Sequence, residues 1–280
     1  GRGPTGGNRS GASGRVGAIV TGRPRRVAIT GLGLVTPLGN DAATTWQALL
    51  AGRSGVAPIT CFDAGGFPVR IAAEVKGFDP GTAIEDRKLL KFTNRYHRFA
   101  LAAAEEAVRD AGILPEKGTA VRWGCVVGSA MTTVEFAELE EVHRRFAVDG
   151  RLAVERLGAS GMAAADPLAF CRSQANAGLS LLLRHFGIRG YASSVHTACA
   201  SGGQAVGTAM KLVRRGTSDF VLAGGFDSML NPVGLAGFCL LGALSPDNDA
   251  PERASRPVDR TRNGFVLGEG AGFLVLEEWG

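Results

Sequence analysis

The sequence lacks any uninterrupted apolar run of 18 residues, although 45% of its 280 residues are hydrophobic. A transmembrane helix needs about 20 consecutive apolar residues, so this absence excludes a membrane-spanning helix. Histidine is scarce, with four in the chain, and none of the five cysteines forms a Cys-x-x-Cys pair. Zinc sites and disulfide frameworks depend on such spacings, so neither is expected. Cysteines without a pairing pattern are typical of a reducing compartment, and we expect a cytoplasmic protein.

Acidic residues are absent from the first 26 positions, which hold six of the 31 basic side chains. The rest of the chain carries 25 basic against 26 acidic side chains, so the formal charge of +5 belongs to this terminus. A folded nucleic-acid-binding domain would show a basic surface, and we therefore expect no nucleic-acid partner. The segment 1–24 is rich in Gly, Arg and Ser without apolar periodicity, which predicts a disordered basic tail.

The segment 25–280 is long and apolar enough to bury a sizeable core as one globular unit. Five apolar stretches predict strands buried on both faces of a sheet: 26–31, 124–129, 192–198, 220–223 and 272–277. Helical spacing of apolar residues covers the intervals: 42–51, 96–111, 133–146, 175–186 and 204–215. This alternation predicts an α/β fold, with a five-stranded, mostly parallel sheet between helices.

Cys199 stands where the predicted strand 192–198 gives way to the helical pattern 204–215, within Ser-Val-His-Thr-Ala-Cys-Ala-Ser-Gly-Gly. The free N–H groups and the dipole of a helix N-terminus favour a thiolate, and the same N–H groups can hold a developing oxyanion. The small neighbouring residues leave room for a bulky acyl thioester. The arrangement suits acyl transfer, while the alternative is an inert packed cysteine, because most free cysteines are buried.

Three other features of the sequence each have a functional and a structural interpretation. His196, close to Cys199 in sequence, is either a base or a packed or interface histidine. Asp227 and Glu269 are either acid–base groups or partners of helix ends and arginines. Gly31-Leu32-Gly33 lacks the third glycine of a dinucleotide-binding motif, and we interpret these glycines as a tight turn from strand to loop.

The sequence resembles β-ketoacyl-acyl-carrier-protein synthases, condensing enzymes of the thiolase fold, over about residues 25–279. The resemblance rests on blocks that occur in the same order: the nucleophile motif Thr197-Ala-Cys-Ala-Ser-Gly202, the opening strand and loop 26–39, and the later segments 219–225, 243–245, 254–259 and 264–272. It implies a thiolase-like layered fold, of which 25–280 is the N-terminal half. The chain begins with Gly1 rather than Met, and we expect an incomplete piece whose C-terminal half is absent.

The resemblance implies that Cys199 takes an acyl group from a phosphopantetheine thioester. Malonyl-carrier protein then loses CO2, and the carbanion attacks the acyl-enzyme, in fatty acid or polyketide synthesis and with no separate cofactor. In this family two histidines of the second half support decarboxylation and polarise the thioester, and a lysine helps to order them. No histidine here stands in a block like theirs. The implied partners are an acyl carrier protein and a second subunit in a homodimer or related heterodimer.

Two other functions compete with the condensing enzyme. A non-catalytic partner subunit would set chain length or mediate dimerisation, but the family's chain-length partners lack the cysteine that this chain retains at position 199. A thiolase or hydrolase would use coenzyme A thioesters, but the segments 254–259 and 264–272 resemble the synthases.

A basic patch precedes the second predicted helix. Arg87, Lys88 and Lys91 fall within one helical turn, and Arg95 and Arg98 extend the region. The resemblance places carrier-protein contacts in this stretch, and the alternative is an ordinary solvated basic face.

Phe238 aligns with an aromatic residue that the family uses near its acyl pocket, so we expect it to contact substrate. It is equally explained as part of the core. Met131 and Phe136 are explained either as part of the core or as residues of a helix that faces a dimer interface.

Overall fold

The computed structural model describes residues 25–84, 86–129 and 134–280, so the predicted tail 1–24 lies outside the described residues. The strands are β1 (Arg26–Val35), β2 (Ala57–Pro58), β3 (Ile71–Ala72), β4 (Trp123–Gly128), β5 (Ala147–Val148), β6 (Arg151–Leu152), β7 (Ala192–Val195), β8 (Phe220–Ser228) and β9 (Glu269–Trp279). The helices are α1 (Ala42–Leu50), α2 (Pro80–Ala83), α3 (Arg95–Ala111), α4 (Phe136–Phe146), α5 (Val154–Ala164), α6 (Pro167–Arg172), α7 (Ala177–Phe186), α8 (Ser201–Arg214), α9 (Pro232–Leu240) and α10 (Pro251–Ala254). Short 3₁₀ turns cover Leu89–Phe92, Ala120–Arg122 and Ala198–Ala200.

Five strands form the central sheet in the order β1-β9-β8-β4-β7. β4 pairs in parallel with both β7 and β8, whereas β9 runs antiparallel to β8 and to β1. Four of the strands therefore point the same way and β9 alone opposes them, which confirms the predicted mostly parallel sheet. The chain returns late to insert β9 between its first strand and β8.

The two faces of the sheet carry separate apolar cores. Side chains alternate along a strand, so Cys125 and Val127 of β4 join one core and Val126, between them, joins the other. α3 and α7 cover the first face and α8 covers the second. This layering of helix, sheet and helix is the predicted architecture.

The strand β1 extends past the glycines that we interpreted as a turn, and that interpretation is wrong. Gly31 and Gly33 lie within β1, where α3 presses directly on the sheet. A Cβ on Gly33 would lie 1.9 Å from the carbonyl oxygen of Ala103, and one on Gly31 would lie 2.0 Å from that of Ala107. The spacing of the two glycines matches successive helical turns on the alanine-rich face of α3. From composition alone, glycines that admit a packed helix look the same as glycines that form a loop.

A smaller apolar core is formed by loops and short elements outside the central sheet. It packs Ile71 and Ala72 of β3 against Leu235 of α9, with Leu244 and Leu267 from the loops before β9. Within the described ranges, no helix is long and apolar enough to cross a bilayer. The same residues contain no cluster of three His, Cys, Asp or Glu side chains that could hold a metal ion.

A buried histidine caps the start of α3. The Asn94 side chain accepts a hydrogen bond from the His97 N–H at 3.1 Å, and His97 Nδ1 accepts one from the Asn94 N–H at 3.3 Å. This reciprocal pair is a capping box. The ring packs edge-on against Tyr96 and Phe226. Burial, with a smaller contribution from the positive charge of Arg172, lowers the pKa of His97 to about 3.

We expect His97 to make the fold sensitive to acid. Its pKa rises from about 3 to 6.5 on unfolding, so below pH 6.5 the unfolded chain binds the proton more readily. The contribution of the neutral His97 to the free energy of unfolding is therefore fully present above pH 6.5. Between pH 6.5 and pH 3 this contribution falls by about 1.4 kcal/mol per pH unit. His97→Gln keeps a side chain suited to the capping box, and should remove about 2 kcal/mol of the stability difference between pH 7 and pH 5.

Urea unfolding of both proteins at the two pH values measures this difference. His143→Gln is the matched control, since His143 is an exposed residue of α4. A His97→Gln protein with the same loss of stability at pH 5 as the parent would contradict the assignment.

Candidate active site around Cys199

The carboxyl ends of the parallel strands meet at one edge of the sheet. β4, β7 and β8 end there at Gly128, Val195 and Ser228, and β9 begins there at Glu269. Open α/β sheets bind ligands in the crevice beyond the carboxyl ends of their strands. The segment that carries Cys199 continues from β7 at this edge.

Cys199 is exposed on a strained turn between β7 and α8. The residue before it, Ala198, has a φ of 51°, and a non-glycine residue in this left-handed region costs roughly 1–3 kcal/mol. The buried Ser201 holds the turn, because its Oγ accepts the Thr197 N–H at 2.8 Å and donates to the Ala198 carbonyl at 2.7 Å. The result is a rigid support that presents the sulfur to solvent.

Glycines allow the start of α8 to approach the sheet. A Cβ on Gly128 of β4 would lie 2.4 Å from the carbonyl carbon of Ser201, so only glycine fits there. Gly225 of β8 faces Gly202 of α8, and a Cβ on it would lie 3.2 Å from the Gly202 Cα. These close contacts fix the N-terminus of α8, and with it Cys199, against the ends of two strands.

The electrostatics of this turn favour negative charge. Cys199 directly precedes Ala200, the N-cap residue of a helix of 14 residues, and the first N–H groups of a helix attract anions. The turn is closed by bonds from the Ala200 N–H to the Thr197 carbonyl and from the Ser201 N–H to the Ala198 carbonyl. The Cys199 N–H takes part in neither bond.

The other cysteines differ from Cys199 in their surroundings. Burial raises the pKa of Cys125 to about 12. Burial of its sulfur, together with Glu74, raises the pKa of Cys61 to about 12 as well. Cys171 is exposed on the short helix α6, and Cys239 is half-buried near the end of α9. Cys199 alone among the five combines exposure with the strained turn before a long helix.

His196 is held by two serines. Its Nδ1 lies 3.2 Å from Ser129 Oγ, and its Nε2 lies 2.7 Å from Ser194 Oγ. Both ring nitrogens are therefore engaged by serine hydroxyls, which supports the structural interpretation of this histidine. The sequence analysis did not single out Ser129. It lies directly after the apolar strand β4 and therefore at the carboxyl edge of the sheet.

The remaining histidines lie elsewhere. His97 is buried in the first turn of α3, His143 is exposed on α4, and His185 of α7 pairs with Glu105 of α3. None is part of the turn that carries Cys199.

Glu269 is a structural acid. Its carboxylate is fully buried and accepts two bonds from the Arg95 guanidinium, at 2.8 and 2.6 Å. It also accepts the Ser228 hydroxyl at 2.7 Å and the Val75 N–H at 2.9 Å. The carboxylate therefore fastens the start of β9 to the end of β8. Asp227 accepts the N–H of Ser228.

The basic patch is smaller than the sequence suggested. Arg87, Lys88 and Lys91 are exposed, and they lie on or just before the 3₁₀ turn Leu89–Phe92. Arg95 is drawn instead to Glu269. The Arg98 Nε donates to Thr93 Oγ1 at 3.0 Å.

Phe238 is half-buried in α9, and its ring lies 5.5 Å from that of Phe265 in an edge-on contact. It packs on the smaller core, so its place near substrate stays a prediction. Phe136 begins α4 with its side chain 37% exposed. Met131 lies outside the described residues.

The model of the β-ketoacyl synthase N-terminal domain matches residues 24–279. The chain belongs to the β-ketoacyl synthase family. It is 39% identical to 3-oxoacyl-[acyl-carrier-protein] synthase 2 of Coxiella burnetii, over 91% of this chain and 58% of that relative.

Two solved ketosynthase structures share the fold of this β-ketoacyl synthase chain. The ishigamide ketosynthase/chain length factor matches with a TM-score of 0.76 and 34% identity, over 91% of this chain and 59% of that one. The ketosynthase of a type II polyketide synthase in complex with its acyl carrier protein, bound to a hexaketide, matches with a TM-score of 0.72 and 29% identity, over the same shares. The resemblance and the thiolase-like fold predicted from sequence are confirmed, and the chain spans about 58% of the length of the Coxiella relative.

Proposed function

We propose that this chain carries the nucleophile of a condensing acyltransferase that takes acyl groups from a carrier protein. The observation that carries the proposal is the exposed Cys199, held on a strained turn at the N-terminus of α8 and at the carboxyl edge of the sheet. The family supports the reaction class, since the Coxiella relative is a 3-oxoacyl-[acyl-carrier-protein] synthase.

In the first step the Cys199 thiolate attacks the carbonyl carbon of an acyl-phosphopantetheine thioester. A C–S bond forms, and the carbonyl oxygen becomes an oxyanion beside the Cys199 N–H. The oxyanion collapses, the bond to the pantetheine sulfur breaks, and that sulfur leaves as a thiolate that takes up a proton. The product is an acyl group on Cys199.

In the second step malonyl-carrier protein loses CO2, and the electron pair of the broken C–C bond attacks the acyl carbon. Cys199 leaves as a thiolate, and the ketoacyl chain is two carbons longer. His196 is engaged by Ser129 and Ser194, so we assign decarboxylation to the two histidines and the lysine that the resemblance places in the second half of the fold.

The test is incubation of the chain with an acyl carrier protein that holds a fatty acyl group, followed by intact mass spectrometry. We expect the mass of one acyl group to be added, and peptide mapping to locate it on Cys199. A chain that binds the carrier protein but gains no acyl mass would instead fit the non-catalytic partner subunit.

We propose Arg87, Lys88 and Lys91 as the carrier-protein contacts. Reversing Arg87 and Lys91 to glutamate should weaken carrier binding at least about tenfold, or about 1.4 kcal/mol, because acyl carrier proteins are acidic. Much of the dependence of the affinity on ionic strength should disappear with these charges. Calorimetric titration at low and high ionic strength measures both effects.

The matched control reverses Arg53 and Lys117, two exposed basic residues outside the patch. The control has the same net charge as the patch variant and should bind like the parent protein. Equal weakening of carrier binding by both variants would show that net charge, and not contact with the patch, determines the affinity.

Assembly with a second subunit is also a proposal. β7 is an edge strand that pairs only with β4 among the described residues, and such an edge can accept another strand. This supports a homodimer or a related heterodimer, and sedimentation of the purified chain tests it. The five free cysteines support a reducing, cytoplasmic location.

A further inference from the structure

The central sheet has two edge strands among the described residues, β1 and β7. β1 is 10 residues long and mostly apolar, whereas β7 has 4 residues. Two apolar side chains of β1 are exposed, Ile29 by 61% and Leu32 by 39%. A long, apolar edge strand with free N–H and C=O groups is a template for pairing with another chain. Unwanted pairing is therefore more favourable at β1 than at β7.

Two carboxylates of α3 bind the outer edge of β1. The Leu32 N–H donates to Asp110 Oδ2 at 3.0 Å. The Leu34 N–H donates to Glu106 Oε2 at 2.9 Å. In an antiparallel pair, alternate residues of a strand direct their N–H groups away from the partner strand, and Leu32 and Leu34 are alternate residues. We call Glu106 and Asp110 the edge carboxylates, because they occupy positions at which a further strand would bind.

The spacing of the two elements makes this arrangement possible. Two residues of a strand span about 7 Å, and the four residues that separate the edge carboxylates span about 6 Å along a helix. The glycines of β1 admit the backbone of α3 directly onto the sheet. Side chains from one face of the helix therefore reach over the edge of β1 and meet two successive outward N–H groups.

Helix formation alone does not explain the edge carboxylates. Asp110 lies in the last turn of α3, which ends at Ala111, and a negative charge near the C-terminus of a helix is unfavourable. Aspartate is also a poorer helix former than alanine. The charge of Asp110 therefore stands where the helix disfavours it, and the hydrogen bond from Leu32 compensates for that position.

We propose that the edge carboxylates close β1 against strand pairing, so that another chain meets this sheet at β7 and not at β1. The partner that they exclude is a second copy of this chain, because two β1 strands could pair through their outward N–H and C=O groups. Hydrogen bonds to a carboxylate are stronger than bonds to a neutral acceptor, and a competing strand must displace them. A shift of register between Ile29 and Gly31 interrupts the rest of the edge, as β-bulges do in other edge strands.

The test compares two double variants of equal net charge. Glu106→Ala with Asp110→Ala removes both acceptors, whereas Glu106→Gln with Asp110→Asn keeps a carbonyl oxygen at each position. In sedimentation velocity over a concentration series, we expect the alanine variant to associate at concentrations at least about tenfold lower than the amide variant. Amide hydrogen exchange at Leu32 and Leu34 should be at least about tenfold faster in the dilute alanine variant, and should slow again as that variant associates.

A folded alanine variant that sediments like the parent at every concentration would overturn the proposal. Equal association of both double variants would also contradict it, because the lost charge and not the lost acceptor would then be the cause. Association without slower exchange at Leu32 and Leu34 would place the contact elsewhere on the chain and count against the proposal in the same way.

A single variant covers the case in which the double alanine variant fails to fold. Glu106 Oε1 also accepts the N–H of Ala42, the first residue of α1, at 2.8 Å, so its loss affects a second element. Asp110→Ala leaves that bond in place and should show the faster exchange at Leu32, with Asp110→Asn as its matched control. The parent's own oligomeric state in the same runs tests the assembly proposed above, so either proposal can fail without the other.

Discussion

Cys199→Ser should lower the rate of acyl transfer from carrier protein by at least about a thousandfold, since removing a catalytic nucleophile costs up to about 10⁶ in rate. A serine hydroxyl needs a neighbouring base to become a nucleophile. His196, the nearest histidine in sequence, already has both ring nitrogens directed at Ser129 and Ser194. The substitution therefore leaves the helix N-terminus and the turn intact but provides no means of removing the hydroxyl proton.

The rate is measured as the growth of the acyl-protein peak in intact mass spectra. Cys171→Ser is the matched control, because Cys171 is also exposed but lies on the short helix α6; it should acylate at the parent rate. Acylation that persists in Cys199→Ser and disappears in Cys171→Ser would move the nucleophile to the other cysteine.

Gly33→Ala should destabilise the fold by about 4 kcal/mol or more, which is exceptional for a single methyl group. The added Cβ would lie 1.9 Å from the Ala103 carbonyl oxygen and 2.7 Å from the Ala107 nitrogen. Both are backbone atoms, so relief requires α3 to move away from β1. Domains are stable by only about 5–15 kcal/mol, and we expect a large loss of soluble protein.

Urea unfolding of the two proteins measures the effect. Gly118→Ala provides the control, because no atom lies within 4 Å of the position that its Cβ would occupy, and it should unfold like the parent. A Gly33→Ala protein of parent stability would show that α3 does not press on β1 as described.

The sequence predicted the positions of the strands better than their ends. All five predicted strands exist, and β4 and β8 are the short apolar runs that the sequence showed most clearly. β8, however, continues through Gly224 and Gly225, and β1 continues through Gly31 and Gly33. Glycine normally weakens a strand. Here it is required by the close approach of α3, α8 and β9, which depends on tertiary packing and leaves no periodic signal in the chain.

The sequence pattern around Cys199, the proposed nucleophile, could be predicted because its signal is local. A strand, small residues and a helix follow one another there. The contact of Arg95 joins residues that are far apart in sequence, since Glu269 is 174 positions from it. No spacing rule links such partners, so the size of the basic patch emerged only from the fold.

The place of β9 also decides when the sheet can be completed during translation. Arg26 pairs with Trp279, so the first strand leaves the ribosome long before its neighbour exists. At about 5–20 residues per second, the delay is roughly 10–50 s. α3 emerges much earlier and covers the glycine face of β1. β1 therefore has a packing partner on its glycine face well before β9 is available to pair with its edge.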